Sequence, residues 1–146
     1  MILRKVVVID GQGGGIGRFI IEQIKALRIS CAVYAIGTNS TATAAMLKAG
    51  ADYGATGENP IIANCRDADV VVGPIGIVIA DAMLGEITPA AAAAVGRCGA
   101  HKVLLPINRC GSFVVGVKEL SANELVGLAA EQVALLLGHA GLEHRK

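Results

Sequence analysis

The chain has 146 residues, of which 53% are hydrophobic and 17% charged, and its formal net charge is +1. That length fits one compact domain over residues 1–146 with a sizeable core. Aromatic residues make up 3% and Trp is absent, so the chain has neither the basic patch nor the stacking surface of a nucleic-acid binder, and no nucleic-acid partner is expected.

The start, Met-Ile-Leu-Arg-Lys-Val-Val-Val-Ile-Asp, does not read as a signal peptide, because its apolar run is shorter than the ~7–15 residues of such a segment. The longest apolar stretch, Val70 to Leu84, is interrupted by Gly73-Pro74, Gly76 and Asp81. A membrane span needs about 20 apolar residues, so no membrane association is expected. Cys31, Cys65, Cys98 and Cys110 show no Cys-x-x-Cys pairing, which points to reduced thiols and a cytoplasmic location.

Periodicity and punctuation predict alternating strands and helices. The first strand is Lys5–Ile9 and the first helix runs from Gly15 to Leu27, with Ile16, Phe19, Ile20, Ile24 and Leu27 on one stripe. Strand Ala32–Ile36 leads through Gly37-Thr38-Asn39-Ser40 into a helix over 40–49, with Gly50 placed to end it. Residues 53–59 read as a short strand or loop, and Pro60 opens a helix to Cys65. Asp69–Val72 is a further strand, stopped by Gly73-Pro74.

Two helical pieces are expected next, Val78–Leu84 and Pro89–Val95, the second capped by Thr88. Strand Lys102–Ile107, a strand Phe113–Val117 and a helix Ala122–Leu137 complete the pattern. Ser121 and Glu124 form a capping box before that last helix, and residues 138–146 read as a frayed tail. The predicted fold is α/β, a Rossmann-like three-layer sandwich with a mostly parallel sheet of about five strands.

In such sheets ligands sit beyond the carboxyl ends of the strands, and the polar and glycine-rich clusters of this apolar chain gather there. They are Asp10-Gly11-Gln12-Gly13, Thr38-Asn39-Ser40-Thr41, Thr56-Gly57-Glu58-Asn59, Gly73-Pro74-Ile75-Gly76 and Asn108-Arg109-Cys110. The first belongs to a loop with five glycines between Gly11 and Gly17, joining a buried strand to a helix N-terminus. Unpaired helix N–H groups there can hold a phosphate, and glycine lets a ligand approach the backbone. Capping and turn chemistry are the structural alternatives for Thr38, Asn39, Ser40, Glu58, Asn59 and Asp10.

The loop matches Gly-x-x-Gly-x-x-Gly and Gly-x-x-x-Gly-x-Gly but misses the strict Gly-x-Gly-x-x-Gly. No acid ends the second strand, where a dinucleotide's ribose would be held. A Tyr-x-x-x-Lys pair is absent, as is Gly-Lys-Ser/Thr after the glycines, which removes short-chain dehydrogenase and Walker-type chemistry. NAD(P) or another nucleotide remains the class of cofactor the loop suggests.

Asp81 and Glu86 lie in an apolar segment, where an unpaired charge is costly. They are the candidate acids or bases, with a salt bridge to Arg97 or Arg109 as the alternative. Cys110 is a candidate nucleophile without a flanking His to activate it. Arg109 can fork onto a phosphate or carboxylate. Cys98-x-x-His101 is a poor zinc pattern, so no metal is expected.

Taken together, Ile-Asp-Gly-Gln-Gly-Gly-Gly-Ile-Gly-Arg (9–18), Ala-Ile-Gly-Thr-Asn (35–39), Lys-Ala-Gly-Ala-Asp (48–52), Ala-Thr-Gly-Glu-Asn (55–59), Gly-Pro-Ile-Gly-Ile (73–77) and Asn-Arg-Cys (108–110) resemble a small bacterial family described only as a domain of unknown function. The resemblance runs from Val6 to about Leu125 and implies a small cytosolic protein. It brings no catalytic residue with it.

The leading expectation is therefore a protein that binds a nucleotide or other small phosphorylated ligand. Asp10, Gly11, Gln12, Gly13, Gly14, Gly15, Gly17, Thr38, Asn39, Ser40, Glu58, Asn59, Gly73, Asn108 and Arg109 are its candidate binding residues. One alternative is a small enzyme, an NADP-type oxidoreductase or a lyase or isomerase, with Asp81, Glu86 or Cys110 at work. Another is a homo-oligomer packed through its glycine segments, since the hydrophobic content exceeds what 146 residues must bury.

Overall fold

A computed structural model describes residues 3–138. Its elements are β1 (Lys5–Asp10), α1 (Gly15–Ala26), β2 (Ala32–Gly37), α2 (Ser40–Lys48), β3 (Tyr53–Thr56), α3 (Glu58–Cys65), β4 (Val70–Pro74), α4 (Pro89–Arg97), β5 (His101–Leu105) and α5 (Ala122–Leu136). The strands form one sheet in the order β3-β2-β1-β4-β5, and every neighbouring pair is parallel. The fold is α/β and Rossmann-like, as the alternating pattern predicts.

The core follows from strand periodicity. In β1 and β4 the side chains from Val6 to Ile9 and from Val70 to Val72 are 0% exposed, as strands covered on both faces require. Successive side chains point to opposite faces, so Val6, Val8, Val70 and Val72 pack beneath α1, α2 and α5. Val7, Ile9 and Val71 pack beneath α3 and α4. Each such burial stabilises by about 1.5–3 kcal/mol relative to exposure.

Two predicted elements are corrected. Residues 113–117 form turns and coil, with Phe113 82% and Val115 87% exposed. Their apolar character resembles a strand, but no layer stands against them, and the fifth strand is instead β3 at the other edge. Tyr53 of β3 stacks on Tyr34 of β2 with ring centroids 4.7 Å apart.

The predicted helix Val78–Leu84 is also absent. A 3-10 turn at Ile75–Val78 gives way to turns in which Asp81, Met83 and Leu84 all have φ between 56° and 65°. A right-handed helix cannot pass through such residues. Of the predicted frayed tail 138–146, residues 139–146 lie outside the described residues, and Gly138 closes a turn after α5.

The order of strands reverses between β1 and β4. Ligands of open α/β sheets sit in the crevice beyond the carboxyl ends at that point, and the glycine loop opens onto it.

Candidate functional site

Around the glycine loop, residues from four segments line a cavity of about 250 Å³, among them Asp10, Gly13, Gly15, Pro74, Met83 and Asn108. The five loop glycines divide into two kinds. A Cβ at Gly14, which has φ +73°, would lie 2.7 Å from Ala42 Cα; one at Gly17 would lie 2.9 Å from Asp10 Cβ; and one at Gly11 would lie 2.6 Å from Thr38 Oγ1. Those three are demanded by the packing of the loop itself. At Gly13 and Gly15 an added Cβ meets no protein atom within 4 Å, and neither has a left-handed φ.

Asp10 organises the turn. It is 5% exposed, and its carboxylate accepts the N–H of Gly11 at 2.8 Å and of Gly17 at 2.7 Å. Because Gly14, the N-cap of α1, has no side chain to cap with, Asp10 takes that role from the end of β1. Burial pushes its carboxyl above the usual value against the opposing pull of the Gly17, Gly11 and Ile16 amides, and the Glu86 charge pushes the same way. Gly14 N–H closes the loop on Gly11 O at 2.9 Å. The amides of Gly13 and Gly15 have no protein acceptor among the described residues. They are the donors left over at the positive end of α1.

A second group of contacts lies in front of β2. Glu86 Oε1 accepts from Gln12 N–H at 2.9 Å, Thr38 Oγ1 at 2.6 Å and Asn39 Nδ2 at 2.7 Å. These bonds, that from Thr38 foremost, hold its carboxyl below the usual value. Glu86 is therefore bound by neutral donors of the candidate site, and neither Arg97 nor Arg109 forms the expected salt bridge with it. Asn39 also caps α2 by accepting Ala42 N–H at 2.9 Å and donates to Gln12 O at 2.9 Å.

The other sequence candidates are dispersed. Asp81 is exposed on the turn after β4, so it does not pay the burial cost that singled it out. Glu58 accepts from the Thr88 hydroxyl, while Asn59 belongs to the first turn of α3. Ser40 is an exposed first residue of α2. Gly73 is buried against the backbone of β1; its neighbour Pro74 reaches the cavity. Arg109 donates to Pro106 O at 3.2 Å and lines an adjacent cavity with Lys118 and Glu119. Cys110 is exposed, with its Sγ 3.7 Å from where a Gly76 Cβ would stand. Met83, Phe19 and Pro74 line the cavity without any chemical signal in the sequence that marks them.

Among the described residues no cluster of three or more His, Cys, Asp or Glu side chains is placed to hold a metal, and no helix is long and apolar enough to cross a membrane.

A family model, Domain of unknown function (DUF3842), matches residues 5–137. The chain belongs to that family. The match takes in every strand and helix of the fold, including the glycine loop, the segment carrying Glu86 and the whole of α5. No curated protein and no solved structure matches the chain.

Proposed function

We propose that this DUF3842 protein binds a phosphate-bearing small molecule, a nucleotide by class, at the N-terminus of α1. The observation that carries the reading is the pair Gly13 and Gly15. Both line the cavity, neither is required by a steric neighbour or by its φ, and their amides are unclaimed. A bare backbone is needed there only if something outside the chain comes close to it.

The lining holds no Lys or Arg, so the phosphate relies on neutral backbone donors and the helix dipole. At about 250 Å³ the cavity lies just below the ~300–1,000 Å³ usual for ligand sites. It suits a phosphate and part of a sugar better than a whole dinucleotide.

The test uses replacements that the fold tolerates. Gly13→Ala and Gly15→Val should melt close to the parent protein, while binding of inorganic pyrophosphate or a nucleotide weakens about tenfold or more, the equivalent of ~1.4 kcal/mol of lost backbone hydrogen bonding. For the parent, ligand at 100 times its Kd should add about 2.7 kcal/mol to stability in a thermal-shift experiment. If a panel of pyrophosphate, mononucleotides and dinucleotides leaves the melting temperature unmoved, the reading is wrong. It is equally wrong if Gly15→Val binds as well as the parent.

A further inference from the structure

We propose that the turn segment 79–88 is an autoinhibitory strap whose Glu86 carboxylate stands in for a ligand phosphate in front of β2; the proposal rests on phosphate binding at the glycine loop. Three donors from two separate segments, Gln12, Thr38 and Asn39, converge on a single carboxylate oxygen, Glu86 Oε1, at 2.6–2.9 Å. One anionic oxygen meeting three N–H and O–H donors is the geometry of a bound phosphate oxygen. The other oxygen, Oε2, accepts no hydrogen bond among the described residues.

The cradle does not depend on its occupant. Asn39 is fixed by Ala42 N–H and by Gln12 O, and Thr38 N–H is held by Asp10 O at 3.0 Å. Removing the Glu86 carboxylate would leave all three donors in place and facing a vacancy. The ends of the second strand and the first βα turn are where this fold class places a nucleotide's ribose and its 2′ substituent. The sequence has no acid there to accept a 2′-hydroxyl, and its Thr38 and Asn39 suit a 2′-phosphate.

The strap can yield at its tip alone. Ala82 and Ile87 are 4% and 0% exposed and anchor it in the layer beneath α3 and α4. Between them Met83 and Leu84 sit in the left-handed region, and Leu84 is 97% exposed. Met83 covers Gly11, with its sulfur 2.7 Å from where a Cβ would be, and also lines the glycine-loop cavity. Gln12 lines that cavity too, so displacing Glu86 frees three donors at its border for a second phosphate, as a nucleotide with phosphates on its 5′ and 2′ oxygens presents.

The experiment is calorimetric titration of adenosine 2′,5′-bisphosphate and of AMP into the parent protein and Glu86→Ala. The bisphosphate should bind the variant about tenfold tighter than the parent, because its phosphate no longer competes with a charge-assisted internal contact, while AMP changes less than about threefold. Glu86→Gln keeps an acceptor oxygen without the charge and should fall between the two. Equal changes for both nucleotides, weaker bisphosphate binding to Glu86→Ala, or no binding of either nucleotide to it would each overturn the strap. Inorganic pyrophosphate separates the two readings, since it needs only the glycine loop. Pyrophosphate binding without the bisphosphate gain defeats the strap and leaves the loop site standing, whereas failure of both defeats both.

Discussion

Gly14→Val is expected to lower the stability of the protein by about 3 kcal/mol, of which ~1–2 kcal/mol comes from forcing a β-branched residue into the left-handed region and the rest from overpacking. Gly14 has φ +73°, and a Cβ there would stand 2.7 Å from Ala42 Cα and 2.8 Å from Ala42 O. Those are backbone atoms of α2, which cannot rotate away as a side chain can. The loop and α2 would have to separate, loosening Asn39, which bridges Gln12 O and Ala42 N–H. For a chain of this length the melting temperature should fall by about 10 °C. Thermal unfolding monitored by circular dichroism measures it directly. A Gly14→Val protein that melts within a degree or two of the parent would show that the loop does not pack on α2 as described. Because Gly15→Val should leave stability nearly unchanged, the pair separates glycines that serve the fold from glycines that serve a ligand.

Much of this arrangement is legible in the sequence because it is local. The run Val6–Ile9 must be a strand buried on both faces, the glycines must turn it into a helix, and Ser121 with Glu124 must open α5; Glu124 N–H donates to Ser121 Oγ in the capped helix. The placement of Asn39 as cap of α2 and the gathering of polar loops at one sheet edge follow from the same alternation. What is not legible is any pairing carried by the tertiary fold. Glu86 is 74 residues from Gln12 and 48 from Thr38, and its apolar neighbours suggest burial beside an arginine. Only the missing acid after β2 hints that a carboxylate has to come from elsewhere.

The two segments that depart from their predicted elements do so for physical reasons. Where a helix over 78–84 is predicted, three successive turns over 79–86 are tied by Ala82 N–H to Ile79 O, Gly85 N–H to Asp81 O and Glu86 N–H to Met83 O. The segment's apolar residues carry a helix-like composition while its backbone reverses hand. Residues 113–117 are an apolar, valine-rich run as a strand would be, but β5 already occupies the edge beside β4, and the chain passes on to α5 without pairing.

Asp10→Ala is expected to cost about 3 kcal/mol, since two hydrogen bonds to a charged acceptor are worth ~1.5–3 kcal/mol each and the relief of burying that charge returns part of the sum. The amides of Gly11 and Gly17 would then lie buried with no acceptor in reach, at the point where β1 passes into the loop. Asp10→Asn is the sharper experiment, because the carboxyls of Asp10 and Glu86 are displaced in opposite directions. Burial raises the Asp10 carboxyl above its ordinary 3.8, so its contribution to stability is fullest below the unfolded value and declines as pH rises through the folded one. The cost of Asp10→Asn should therefore shrink as pH rises above about 4. Glu86 is held below its ordinary 4.5 by Thr38, Gln12 and Asn39, so the cost of Glu86→Gln should be present above that value and fade as pH falls through the folded one. Urea unfolding of the parent and both variants, from well below pH 4 up to neutral pH, measures the two slopes. If the cost of Asp10→Asn grew with pH instead, the Gly11 and Gly17 amides would outweigh burial, and Asp10 would be a stabilised anion at the helix N-terminus, repelling a phosphate held by the neighbouring Gly13 and Gly15 amides. With the slope as expected, Asp10 is a charge kept at the helix N-terminus against the cost of desolvation, and the amides of Gly13 and Gly15 are what remains for a ligand.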